Sequence, residues 1–308
     1  MRVAVIGAGG VGGYFGGRLA AAGTDVTFVA RGAHRDAIRT SGLRIESGHG
    51  DVVVDAKTAE DTAQIGPVDV VIVAVKLWDT PAAAEMIVPL LHDDTAVISL
   101  QNGVSKDDAV RAAVGNGHVV GGMAYIAAVI DRPGVIRHTG AMQRLVVGEY
   151  GARKTARVDA FVEACRAAGI DVVLSDDIER AMWEKFVFLV GLSGATSVIR
   201  QPIGVIRADK QARSLLHELL RETVDVGRGQ GVGLDPGYAD DRLAFCDTLS
   251  PATTSSMHGD LERGKRLELP WLQGTVVNLG RAAGVDTPAN AFVCDALSVY
   301  VDGGSPQA

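Results

Sequence analysis

Lys185 is the residue in this chain whose setting best suits proton transfer. It sits in Met182-Trp183-Glu184-Lys185-Phe186, directly before the most apolar helical stretch, 186–199. Burial disfavours an ammonium, so its pKa is expected to fall, which suits a group that gives up a proton near neutral pH. A surface lysine that snorkels, or pairs with Glu184, would carry the same local sequence. A second polar region runs through Thr253, Thr254, Ser255 and Ser256, then Glu262, Lys265 and Glu268. Hydroxyls at a helix start can hold a ligand or simply cap the helix. Glu268 precedes Leu269-Pro270-Trp271, at the junction into the next helix. The seven histidines are dispersed without metal-ligand spacing, and no metal is expected. His34 and His258 lie near these segments and are read as incidental.

A chemical group needs something to act with, and the N-terminus supplies it. Val3 to Ile6 form a β-branched run that flows into Gly7, Ala8, Gly9, Gly10, Val11 and Gly12. A helical segment over 14–22 follows, Gly23 stops it, and 25–29 reads as a second buried strand. This is a βαβ unit with a dinucleotide-binding turn. Gly7 permits the tight turn, Gly9 lets a pyrophosphate approach the backbone, and Gly12 lets the helix pack against the strand. The helix N-terminus presents free N–H groups to the phosphates.

The end of the second strand chooses the dinucleotide. A carboxylate there would hold a ribose 2′-hydroxyl, but this chain has Ala30-Arg31-Gly32. A guanidinium binds a 2′-phosphate through a bidentate fork, which predicts NADP(H) over NAD(H), with Arg35 assisting. A solvated loop cation is the bland alternative for Arg31. The basic residues over 31–44 are read as a phosphate-facing loop.

The elements that must position these groups follow a clear order. Alternating strand and helix patterns predict a Rossmann-type doubly wound parallel sheet over 1–177. Strands are expected over 69–75, 95–100 and 118–130, with short antiparallel strands over 135–138 and 145–149 and an edge strand over 172–174. Helices are expected over 82–91 and 153–168. Lys76 and Asn102 then follow the fourth and fifth parallel strands and point to the nicotinamide end of a cofactor. Beyond residue 178 helical periods dominate, over 178–199, 209–230, 238–248, 270–283 and 288–301. An all-helical domain over 178–308 is expected to form the other wall of the active-site crevice.

Composition excludes other classes. The 308 residues suffice for two domains, and the net charge of −7 argues against nucleic-acid binding. Three scattered cysteines give neither a disulfide framework nor a metal site. The apolar stretch 186–199 is interrupted and too short for a membrane span, and the first strand leaves no room for a leader, so a cytoplasmic protein is expected. Apolar faces in the helical half serve equally as a homodimer surface or a domain core. The tail 301–308 is expected to fray.

Taken in order, these motifs resemble the ketopantoate reductase (2-dehydropantoate 2-reductase) family. The resemblance runs through GAGGVGGYFGGRLAAAG, Arg31, AVKLWDT, LQNGV, RPGVIRHTG, MWEKF, TTSSMHGDLERGKRLE and GVDTPAN. It implies hydride transfer from NADPH to a branched 2-ketoacid, 2-dehydropantoate above all, in pantothenate biosynthesis. By the resemblance, Lys185 is the general acid, Glu268 pairs with the substrate hydroxyl and helps place Lys185, and Ser256 binds substrate. Asn102 and Lys76 serve the nicotinamide and substrate end, and Gly7, Ala8, Gly9, Gly10, Val11, Gly12, Arg31 and Glu268 serve the cofactor. The chain departs from the family pattern four and eight residues after the lysine. Leu189 and Ser193 stand where asparagines are usual, and Thr253 replaces a third. These positions are expected to line the substrate pocket, so a paralogue acting on a more hydrophobic 2-ketoacid is the alternative. A different two-domain dehydrogenase and a non-catalytic NADPH sensor are further alternatives.

Overall fold

The computed structural model describes residues 1–304. They divide into two compact units: Met1–Asn102 with Lys106–Ile178, and Gly103–Ser105 with the chain from Glu179 onward.

The first unit holds β1 (Arg2–Ile6), α1 (Gly10–Ala21), β2 (Asp25–Val29), α2 (Gly32–Ser41), β3 (Leu43–Glu46), β4 (Val52–Val54) and β5 (Lys57–Ala59). It continues through β6 (Val70–Val73), α3 (Thr80–Ile87), β7 (Ala96–Ser99) and α4 (Asp108–Val114). It closes with β8 (Val119–Arg132), β9 (Val135–Gly148), α5 (Ala156–Ala167) and β10 (Asp171–Leu174). Six strands pair in parallel in the order β5-β2-β1-β6-β7-β8. This is the doubly wound Rossmann order, which reverses direction between β1 and β6. Alternation explains the burial on both faces. Val3, Val5, Val70 and Ile72 pack in one core, and Ala4, Ile6, Val71 and Val73 in the other.

Several elements differ from expectation. Helix α1 begins at Gly10, because its glycines seat it on the sheet rather than weaken it. A Cβ on Gly10 would collide with the Ala128 carbonyl, and one on Gly16 would lie 2.7 Å from Phe28. The basic segment over 31–44 is not a loop. It is α2 followed by β3, anchored by buried Ile38, Leu43 and Ile45. The two expected antiparallel strands after residue 134 are one strand, β9. It pairs with β8 through register shifts near Ile126/Ala127 and Ile130/Arg132. Its polar middle looked like a loop because both faces there are largely exposed. The strands β3, β4 and β5 span only three or four residues each, too short for a periodic pattern to announce them.

The second unit is helical: α6 (Ile178–Ile199), α7 (Ile203–Ala208), α8 (Lys210–Gly229), α9 (Tyr238–Thr248), α10 (Ser256–Glu262), α11 (Gln273–Ala283) and α12 (Pro288–Leu297). With 22 residues, α6 is long and apolar enough to cross a membrane by length and composition. It is instead the core helix of this unit, with 67% of its apolar window buried. Its interrupting small residues are contact points: a Cβ on Gly191 would collide with Leu220, and one on Gly194 would lie 3.0 Å from Leu219. The tail is tied down as far as it is described. Leu267 N donates to Val301 O at 2.9 Å and Gly304 N to Gly264 O at 2.8 Å. Residues 305–308 lie outside the described residues.

Candidate active site

The glycine turn lies at the carboxyl end of β1, where the strand order reverses. Gly7 has φ +99°, and a Cβ there would meet Val75 N, beyond β6, at 2.9 Å. A Cβ on Gly12 would collide with the Gly7 carbonyl, so the turn and helix close tightly. Gly9 is different: nothing lies within 4 Å of where its Cβ would stand. Gly9 is also the N-cap of α1, which has no side-chain cap and no acidic residue in its first turn. A backbone cradle with open space, uncapped N–H groups and no repelling carboxylate fits a dinucleotide pyrophosphate. Ala8 is buried, while Gly10 and Val11 begin the helix.

Arg31 is exposed at the end of β2, where it precedes α2, with Nη2 3.8 Å from Met86 Sδ. That position suits a ribose phosphate. Arg35 does not share it, because its guanidinium is taken by Asp36, at 2.6 Å, and by Glu60. His34 is held at both ring nitrogens. Its Nε2 lies 2.8 Å from Ala8 O, and its Nδ1 accepts from Gly134 N at 3.0 Å.

Lys76 and Asn102 stand beyond the carboxyl ends of β6 and β7, adjacent strands in the sheet. Lys76 is exposed, with Nζ 5.6 Å from the Trp78 ring centroid, and Asn102 is half-buried. The residue that joins their loops is one sequence reasoning passed over. Gln101 Nε2 donates to Val75 O at 3.0 Å and to Thr80 Oγ1 at 2.7 Å, and its Oε1 accepts from Ser99 Oγ at 2.9 Å. Beneath it, Lys106 Nζ donates to Ser99 O at 2.8 Å and pairs with Asp107 at 3.2 Å. The Tyr150 hydroxyl donates to Asp107 at 2.6 Å. Burial pulls the Lys106 pKa down while Asp107 opposes it, and burial with Asp107 pushes the Tyr150 phenol up. The only sequence signal was two polar residues next to an apolar strand end.

In the second unit, Lys185, Leu189 and Ser193 follow one another at intervals of four along α6. Glu184 accepts from Arg180 Nε at 2.8 Å. Lys185 and Leu189 are half-buried. Ser193 departs from its expected place on a pocket wall: it is fully enclosed, and its Oγ has no partner among the described residues. The hydroxyl cluster splits by role. Ser255 caps α10 by accepting from His258 N at 3.0 Å, and its Oγ lies 3.1 Å from Thr196 Oγ1. Ser256 is the first residue of α10 and is exposed. Thr253 shapes the turn before it, its carbonyl accepting from Ile203 N at 2.9 Å. His258 Nδ1 lies 2.8 Å from Thr196 O. Glu268 is buried, and its carbonyl accepts from Trp271 N and Leu272 N at the start of the turn before α11. Gln273, unforeseen from sequence, donates from Nε2 to Val190 O at 2.9 Å.

Comparison with known proteins gives the family and the fold. Residues 3–152 match the family described as "Ketopantoate reductase PanE/ApbA", and residues 177–301 match its C-terminal counterpart. The uncharacterized oxidoreductase YkpB of Bacillus subtilis is 32% identical, over 97% of this chain and 99% of its own. The 2-dehydropantoate 2-reductase of Mesorhizobium japonicum is 30% identical over 94% of each chain. The crystal structure of a PanE/ApbA family ketopantoate reductase from Ralstonia eutropha superposes with a TM-score of 0.88, at 32% identity over 98% of each chain. D-mandelate dehydrogenase, solved with NADH and anilino(oxo)acetate, shares the fold with a TM-score of 0.88 at 20% identity.

Proposed function

This chain belongs to the ketopantoate reductase family of oxidoreductases, and on that premise we propose that it reduces 2-dehydropantoate to pantoate with NADPH. The observation that carries the cofactor half of this reading is the open cradle at Gly9 with Arg31 at the next strand end. Gly7 to Gly12 would hold the pyrophosphate on the α1 N-terminus, and Arg31 the ribose phosphate. When bound, the nicotinamide supplies the hydride that reduces the keto carbon.

The chain's own residues manage the oxygen and the carboxylate. Negative charge builds on the ketone oxygen, and the Lys185 ammonium stabilises it and donates the proton. Glu268 accepts a hydrogen bond from the resulting hydroxyl and holds Lys185 in place. Ser256, exposed at the first turn of α10, offers a hydroxyl to the substrate carboxylate. Lys76 and Asn102, whose loops are joined by Gln101, orient the reacting end.

A second reading has a specific observation behind it. Leu189 is apolar and Ser193 is enclosed where the family usually offers amides. A site that lacks those amides loses part of its preference for the hydroxyl of the pantoate skeleton. The alternative substrate is therefore a bulkier, more hydrophobic 2-ketoacid. NADPH oxidation measured with 2-dehydropantoate, 2-ketoisovalerate, phenylpyruvate and benzoylformate decides between them. A clear advantage in kcat/KM for 2-dehydropantoate is expected. An advantage for phenylpyruvate or benzoylformate would favour the second reading, and no turnover with any of them would favour a non-catalytic nucleotide sensor.

A further inference from the structure

The geometry points to His34 as the residue that sets the glycine turn for nucleotide binding. This rests on the nucleotide reading of that turn. The two contacts of the ring define its chemical form. Gly134 N is a donor, so Nδ1 must carry a lone pair, and Ala8 O is an acceptor, so Nε2 must carry the proton. His34 is therefore a neutral imidazole with one assigned tautomer, and burial holds its pKa below the ordinary value.

The contact with Ala8 acts on the turn itself. Ala8 C=O and Gly9 N–H belong to one planar trans peptide, so they point in opposite directions. Tethering the carbonyl to α2 aims the Gly9 N–H the other way. Two other peptides of the turn have bonds of their own: Gly7 N donates to Val29 O at 3.1 Å, and Gly13 N to Gly9 O at 2.7 Å. The peptide between Ala8 and Gly9 depends on His34. The second ring nitrogen fastens the same imidazole to the turn between β8 and β9. That turn is itself close to α2, since a Cβ on Gly134 would lie 3.0 Å from the Ala37 Cβ. Across the turn, Gly10 abuts Ala128 of β8. His34 thus holds the Ala8 end of the cradle, while β8 abuts its Gly10 end. Its role is that of a positioning residue, acting through Ala8.

The test separates the two nitrogens. Glutamine places an amide near Nε2 and keeps the donor to Ala8, whereas asparagine keeps only an acceptor near Nδ1. NADPH and NADH affinities are measured by fluorescence titration on full-length protein, beside melting temperatures without nucleotide. His34→Ala and His34→Asn are expected to weaken NADPH binding about tenfold, the effect of losing one hydrogen bond of ordinary strength. His34→Gln is expected to retain most of the affinity. If His34→Asn binds as tightly as wild type, or His34→Gln loses as much as His34→Asn while melting like wild type, the inference is overturned. Should wild type bind neither nucleotide, the underlying nucleotide reading fails and takes the inference with it.

Discussion

Lys185 and Arg31 carry the sharpest predictions at the scale of single residues. Lys185→Ala is expected to lower kcat by about 10²–10⁴, the usual effect of removing a general acid, while the NADPH Kd stays unchanged. Stopped-flow reduction and a binding titration read the two separately, and wild-type turnover would remove Lys185 from the mechanism. Arg31→Ala is expected to weaken NADPH about tenfold or more, as befits a lost charge-assisted contact, and to leave NADH unaffected. Equal losses for both nucleotides would mean that Arg31 does not read the phosphate. These residues stand out in the sequence because their settings are local: one lies within an apolar helix, the other just after a strand. His34 and Gln101 could not. His34 meets Gly134 a hundred positions away, and Gln101 meets Val75 across two strand ends. Residue type alone does not announce such partners.

Among the elements, the helix that follows the glycine turn is the most constrained. Gly10→Ala would drive a methyl into the Ala128 carbonyl, displacing α1 from β8. A loss of about 1–3 kcal/mol is expected from overpacking of this kind, together with weaker nucleotide binding. Chemical denaturation beside titration checks both, and a variant as stable as wild type would show that β8 can yield. The loops after β6 and β7 are a coupled pair through Gln101. Gln101→Leu keeps the volume and removes the bonds to Val75 and Thr80. It is expected to lower kcat/KM at least tenfold with little change in NADPH Kd, because Lys76 and Asn102 lose their common brace. An unchanged kcat/KM would make the brace purely structural. Elements with strong periodicity, such as β6 and α6, were legible from the sequence. Helix α2 and the middle of β9 were not, since their polar residues resemble loop until the neighbouring strands are in place.

For the whole molecule, separate cores predict separate melting. One unit packs its sheet between two layers of apolar side chains, and the other builds its core around α6. Calorimetry is expected to resolve two transitions. NADPH at about a hundred times its Kd should raise one of them, by the equivalent of about 2.7 kcal/mol for the unit that binds it. A single transition that moves as a whole would show that the two cores unfold together.

The order of strand, glycine turn, helix and strand, the cation at Arg31 and the apolar setting of Lys185 were written in the sequence, because each depends on neighbours within a few turns of chain. Family membership follows from the same order of motifs. Long-range contacts alone decided the rest. The strand order placed the turn at the reversal between β1 and β6, and packing against Ala128 placed the start of α1. The enclosure of Ser193 and the two bonds of His34 arose only when distant segments closed upon them. Local sequence sets which conformations a segment prefers. Burial and hydrogen-bond satisfaction, which need the whole fold, determine which side chains end up holding the site.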